Sequence, residues 1–387
     1  MSTAAASDSP AQSGPASAPT APIRFGMIGA GFIARWFVEA ARTVPDAEVV
    51  AVTSAHPERA AAFAAEHAIP AAFASLEEML AARDADGDPL VDVVYVGSPN
   101  LLHPEHALAA LEAGRHVLVE KPFAPTPAQA RAMVAAARRN DRLLMEGWLP
   151  AFEPGTAVLR ENLRRLGPIR RALLVKEQYS SRMDAYRDGA LPPAFNPAMA
   201  GGSLMDLGVY PISLAIHLFG APTRVTAAGV LLDSGADALG TVVLDYAGTD
   251  TARQVQPAGF EVVCLHSKTS PAGTGSAIAG DHAVLTLDDC QWPQQIALRG
   301  PAVGTAGAGS AAGADRIKAA AGADAVQDLS VQRSGPVLAY ELETFCRLVR
   351  SGARESELHP LANSVAAVEV LYEARRQVGV RFPGDPD

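Results

Sequence analysis

The chain has few cysteines, little positive charge and no long apolar runs. Only Cys264, Cys290 and Cys346 occur in 387 residues. They are far apart, show no metal-ligand spacing and form no disulfide framework, so no metal site is expected. A reducing, cytoplasmic compartment suits them. Thirty-two Lys and Arg against 42 Asp and Glu leave a net charge of −10. That balance repels phosphate backbones and anionic membranes, so neither nucleic acid nor a membrane is an expected partner. It does not bar a dinucleotide, whose phosphates bind local helix N-termini and backbone amides. No apolar run approaches the length of a membrane span. The first twenty residues are mostly Ala, Ser, Pro and Thr, with almost no large apolar side chain. They lack the basic start and apolar stretch of a signal peptide. Residues 1–22 therefore read as a disordered tail; an arm that clasps a neighbouring subunit is the alternative. Gly300–Ala325, nearly all Gly and Ala, reads as a flexible or partly helical surface insertion.

What is present is an ordinary enzyme balance, 49% hydrophobic and 19% charged. The length admits two domains, each with its own core. Ile23–Ile28 is a short apolar run ending at glycine, the pattern of a buried parallel strand. Helices are expected over Phe32–Thr43, Pro57–His67, Leu76–Ala82 and Pro104–Ala113, and after the cap Thr126. Strands are expected at Val49–Val52, Val91–Val96, Val117–Val119 and Leu143–Met145. Strand and helix alternate up to Trp148, which predicts an α/β, doubly wound parallel sheet over residues 23–148. Beyond it, residues 149–387 read as an α+β domain. Its strand-like runs are Ile169–Gln178, Arg224–Leu232, Thr241–Tyr246, Phe260–His266 and Ala283–Leu287. They imply a large, mostly antiparallel open sheet, interrupted by a helix over Gly202–Leu218 and closed by helices at Val337–Val349 and Leu361–Val378.

Three motifs carry chemistry. Gly29-x-Gly31-x-x-Ala34 follows a strand and opens a helix, as a dinucleotide fingerprint requires. Gly29 permits the tight turn, Gly31 lets backbone approach the pyrophosphate, and Ala34 lets helix pack on strand. Phe32 and Ile33 complete that loop. The acid expected about 20 residues later, at the end of strand two, is missing. Thr53, Ser54 and Ala55 stand there. A carboxylate would repel a 2′-phosphate, so its absence favours NADP over NAD. Ser54, His56 and Arg59 are candidate phosphate contacts, against the reading of Arg59 as a solvated helix residue. Ser98, Asn100 and His103 follow another strand, where the crevice of such a sheet opens. His103 is a candidate to face cofactor or substrate, and His106 reads as an ordinary helix residue.

Glu120-Lys121-Pro122 ends a later strand, so Lys121 is expected at the crevice mouth. The third motif is Gly201-Gly202-Ser203-Leu204-Met205-Asp206-Leu207-Gly208-Val209-Tyr210. Asp206 and Tyr210 are four apart and share one helix face. A phenol near pKa 10 is too weak a base at neutral pH. An ammonium about 4 Å away, at an effective dielectric near 20, is worth roughly 4 kcal/mol or about three pKa units. Lys121 is therefore expected to draw Tyr210 into working range, with Asp206 orienting the lysine or a substrate hydroxyl. His217 reads as a core histidine.

These residues resemble the glucose–fructose oxidoreductase, inositol dehydrogenase and MocA (Gfo/Idh/MocA) family from about Ile23 to Pro383. Glu120-Lys121-Pro122 with Gly-Gly-x-x-x-Asp-x-Gly is the specific part. Tyr210, where many members carry His, looks like the branch holding dimeric dihydrodiol dehydrogenase, NADP-dependent xylose dehydrogenase and glucose–fructose oxidoreductase. Met145-Glu146-Gly147-Trp148 and Leu207-Gly208-Val209-Tyr210-Pro211-Ile212 point the same way. That branch often has Arg directly after the strand-two serine; here Ala55 stands there. The resemblance implies a Rossmann domain first. Its cofactor-binding residues are Gly29, Gly31, Phe32, Ile33, Ser54, Arg59, Ser98, Asn100, His103, Glu120 and Lys121. It implies catalysis by Lys121, Tyr210 and Asp206, on a sugar, polyol or cyclic diol, with NADP or NAD. It also implies a homodimer or homotetramer formed through the open sheet. Whether Tyr210 or Lys121 takes the proton stays open. Two rivals are an oxidoreductase that never releases its cofactor and a non-catalytic cofactor sensor.

Overall fold

The computed structural model describes residues 21–248, 259–300 and 325–385. The expected tail and the Gly/Ala insertion lie outside those residues except at their inner ends. Six parallel strands form the first sheet: β1 (Ile23–Ile28), β2 (Ala47–Thr53), β3 (Ala71–Phe73), β4 (Val93–Val96), β5 (His116–Glu120) and β6 (Leu144–Gly147). Their order is β3-β2-β1-β4-β5-β6, so the winding reverses between β1 and β4. The ends of those two strands open the crevice where such sheets bind ligands. Both faces are covered. In β4, Val93 and Tyr95 join one apolar cluster with Phe37 and Val38 of α1 (Phe32–Ala41). Val94 and Val96 join the other, with Ala107 and Leu111 of α4 (His103–Glu112) and Met133 of α5 (Pro127–Arg139). Two-sided burial is why these strands read as unbroken apolar runs.

The start signals act as read. Pro57 opens α2 (Pro57–His67). Ser75 accepts from the Glu78 amide at 3.2 Å to start α3 (Leu76–Ala81), and Glu78 reaches back to the Ala74 amide. Thr126 caps α5 through the Gln129 amide. β3 was not expected; three residues give no usable period.

The second sheet has eight strands in the order β14-β13-β12-β11-β7-β10-β9-β8. They are β7 (Ile169–Glu177), β8 (Arg224–Leu231), β9 (Asp237–Asp245), β10 (Glu261–Ser267), β11 (Ser276–Gly280), β12 (Val284–Leu287), β13 (Ile296–Gly300) and β14 (Ala325–Asp328). Among the described strands of this sheet, only β7 and β10, near its centre, pair in parallel. β11, β13 and β14 went unread because they are only four or five residues long, too short to show a usable period. Helix α6 (Pro154–Asn162) leads into this sheet, and α7 (Met183–Arg187) follows β7. Helix α8 (Val209–Phe219) lies against β7 and β10. With the turns before it, Pro197–Phe219 is long and apolar enough to cross a membrane, contrary to the sequence reading. It is 83% buried inside the protein, so it is a core helix. The closing helices tie the two sheets together. α9 (Ala339–Ser351) packs on α1, and α10 (Leu361–Val378) packs on α5, α8 and β8.

Candidate active site

The glycine loop fits a dinucleotide. Gly29 has φ +115°, and a Cβ there would lie 2.6 Å from the Gly97 carbonyl at the end of β4. Only glycine combines that conformation with that approach. Nothing lies within 4 Å of a Cβ placed on Gly31. The N-terminus of α1 has no side-chain cap and no acid in its first turn, so its amides are free for a phosphate. Ala34 is buried against the sheet and Phe32 is exposed. Ser54 is held by its own turn, donating to the His56 carbonyl at 2.9 Å, and Arg59 stands exposed beyond it.

Three candidates at the end of β4 are already engaged. Ser98 Oγ meets His106 Nδ1 at 2.9 Å. Asn100 donates to the Ala200 carbonyl at 3.1 Å, tying the first domain to the Gly201-Gly202 loop. His103 is buried, with Pro122 O and Ser98 O each 2.9 Å from a ring nitrogen. Burial pushes its pKa down to about 4, so the ring is neutral and donates to only one of them. Its position braces the Lys121–Pro122 turn, where the peptide is cis.

Lys121 and the distant segment meet. Lys121 Nζ donates to Asp206 Oδ1 and to the Asp206 carbonyl, both at 3.0 Å, and lies 4.7 Å from the Tyr210 ring centroid. The carbonyl is available because the chain makes a wide π turn over Leu204–Gly208 before α8. Gly202 starts this segment with φ +140°, where a Cβ would lie 2.2 Å from Asp237 Oδ1. Asp237 can thus approach and accept from the Leu204 amide at 2.5 Å. Behind Lys121, Glu120 accepts from Tyr95 Oη at 2.6 Å. Burial holds Glu120 above the ordinary carboxylate range, against the pull of Tyr95 and Lys121. Glu341 of α9 is buried nearby with one carboxylate oxygen unpartnered, and burial raises it further.

The expected drop in the Tyr210 pKa does not occur. Burial pushes the phenol up to about 12; Lys121 pulls down and Asp206 pushes up. The reason is burial first, and then Asp206, which sits on the same ammonium and offsets its field. Burial works against the Lys121 charge, but Tyr210 and Asp206 hold it above the ordinary lysine value. Burial likewise opposes the Asp206 charge, but Lys121 and Lys268 together hold it well below the usual range.

Two lysines at the site were missed. Lys268 pairs with the second oxygen of Asp206, and its side chain is 2% exposed. Lys176 pairs with Asp289 at 2.7 Å and lies 5.7 Å from the Tyr210 ring and 5.3 Å from the Trp292 ring. Alternation was the available signal. Ala172, Leu174 and Lys176 lie on the buried side of β7, and Val262, Cys264, His266 and Lys268 continue one side of β10. His217 lies apart, 5.6 Å from Trp148 between ring centroids, with its pKa pushed down to about 3 by burial.

Residues 23–148 match the family profile described as the oxidoreductase family with an NAD-binding Rossmann fold, and residues 171–259 match the GFO/IDH/MocA C-terminal domain. The NADP(+)-dependent scyllo-inositol 2-dehydrogenase IolU of Bacillus subtilis is 36% identical over 94% of this chain and 99% of its own. This chain belongs to the Gfo/Idh/MocA family. It is an NAD(P)-dependent oxidoreductase. The trans-1,2-dihydrobenzene-1,2-diol dehydrogenase of Sus scrofa is 30% identical, again over 94% and 99% of the two chains. Among solved structures, the 3-ketoreductase KijD10 of Actinomadura kijaniata, in complex with NADP, superposes with a TM-score of 0.70. Its identity is 23%, with 93% of this chain and 99% of that one covered. The aldose–aldose oxidoreductase of Caulobacter crescentus superposes at 0.71, with 21% identity and 92% and 97% coverage. These two likenesses bear on fold alone.

Proposed function

We propose that the protein transfers hydride between NADP and a ring hydroxyl of a cyclic polyol, sugar or cyclic diol, with Tyr210 and Lys121 handling the proton. The observation that carries this reading is the Lys121 ammonium, held by Asp206 at 3.0 Å and facing the Tyr210 ring at 4.7 Å. When bound, the nicotinamide supplies the hydride acceptor or donor. Gly29, Gly31 and the first amides of α1 hold its phosphates. In reduction, Tyr210 gives its phenolic proton to the substrate oxygen. Lys121 stabilises the charge developing there. A phenol with a pKa near 12 is fully protonated at neutral pH, which suits the acid role. In oxidation the substrate O–H proton passes to Tyr210 as the C–H bond breaks, so that rate rises with pH.

A screen of inositols, sugars and cyclic diols with NADP and NAD, read by nicotinamide absorbance, tests this. Turnover of at least one cyclic polyol is expected. No turnover with intact dinucleotide binding would leave a cofactor sensor. Nicotinamide absorbance carried through purification would instead favour an enzyme that keeps its cofactor.

The missing strand-two acid and the exposed Arg59 support NADP over NAD. Arg59→Ala is expected to weaken NADP about tenfold, the worth of one charge-assisted hydrogen bond, and to leave NAD unchanged. Equal loss for both in a fluorescence titration would remove Arg59 from the phosphate site. The second sheet also leaves apolar side chains exposed at one edge, Val230, Leu231 and Leu239. With the family resemblance, they support a homodimer or homotetramer formed through this sheet. Sedimentation equilibrium giving a single-chain mass would exclude that assembly.

A further inference from the structure

The proposed reaction leaves two buried ammoniums, Lys176 and Lys268, without a task. Lys268 follows β10, its side chain is 2% exposed, and Nζ lies 5.2 Å from the Phe195 ring. Burying a cation is costly unless a partner compensates it. Its partner is Asp206, which Lys121 already neutralises from the other oxygen. The pair is thus a clamp of two cations on one carboxylate, with one positive charge in excess. We infer that Lys268 is a positioning residue that holds Asp206 for Lys121 and, through its own positive charge, sets the pH at which the site accepts a proton. The inference rests on the functional reading above.

Other titratable groups face the clamp from β5, β7, β9 and β10. Glu120 faces Lys121 from β5, and burial favours its neutral form. Lys176 on β7 is compensated by Asp289. Asp237 on β9 faces Lys268; burial pushes it up only to about 6, so at neutral pH it is mostly ionised and offsets part of the Lys268 charge. His266 on β10 bonds Ser203 at 3.0 Å, and burial pushes it down to about 3, so it is neutral. A positive charge in excess favours the deprotonated form of the neighbouring phenol and of a developing alkoxide. Removing Lys268 therefore raises the pKa of the proton acceptor.

The test uses the full chain with scyllo-inositol and NADP as probe. Lys268→Met is expected to lower oxidation turnover about tenfold and to move the rising pH limb up by about one unit. Lys268→Arg is expected to restore both. A parallel thermal cycle needs no substrate. Lys268→Met should lower the unfolding midpoint in the native chain but not in the Asp206→Asn background. An unmoved pH limb, or equal thermal losses in both backgrounds, overturns the inference. If the native chain turns over no polyol, sugar or diol, the functional reading fails, and the thermal cycle alone decides the clamp.

Discussion

Tyr210→Phe lowers turnover by about 100- to 10,000-fold, the usual worth of a positioned acid or base, and leaves the fold intact. The ring is buried in the wall of α8 at 4% exposure, so phenylalanine preserves its packing. What is lost is one hydroxyl. On the proposed reading the native phenol, pushed up to about 12, serves as proton donor for reduction across the whole accessible range. In oxidation the same hydroxyl must accept, and its ionised fraction grows with pH. Native oxidation therefore climbs steadily on the alkaline side, and the variant's residual rate does not. Steady-state rates between pH 6 and 10 read both effects. A small loss with the climb retained would make Lys121 or a histidine the proton acceptor and leave Tyr210 to place the substrate.

Lys121→Met abolishes most turnover while cofactor affinity stays within a few-fold. Methionine keeps a similar length and an apolar stem but removes the ammonium. One charge about 4 Å from the reacting oxygen, at an effective dielectric near 20, is worth roughly 4 kcal/mol, or about a thousandfold in rate. Asp206 keeps Lys268 as its partner, so its carboxylate is not left unpaired and the chain still folds. On the proposed reading the phosphates sit on Gly29, Gly31 and the first amides of α1, apart from Lys121. Turnover and an NADP titration on one preparation separate the effects. Near-native turnover would reduce Lys121 to a structural charge.

Much of the site was legible because its motifs are local. Gly29 needs a positive φ, Lys121 ends a buried strand, and Asp206 precedes Tyr210 by one turn. Each follows from a few consecutive residues. Lys176 and Lys268 were not legible in that way. They reach the site because β7 and β10 pair in parallel, Lys176 opposite His266, although 90 residues separate those strand positions. Asn100, a candidate cofactor contact from its place after a strand, also donates to the Ala200 carbonyl across the domain boundary. No local pattern announces such a contact.

The Tyr210 acidity shows the same division. From sequence, a lysine near a phenol implied a lowered pKa. Burial and the shared carboxylate reverse that sign. By itself the sequence determined the alternating first domain, the dinucleotide loop and the three residues that meet across the cleft. Those depend on short-range geometry and on apolar periods of a few residues. The tertiary structure alone decided how many charges surround them and which are compensated. Coulomb energy and desolvation depend on distance and burial, and residues remote in sequence acquire both only when the chain has folded.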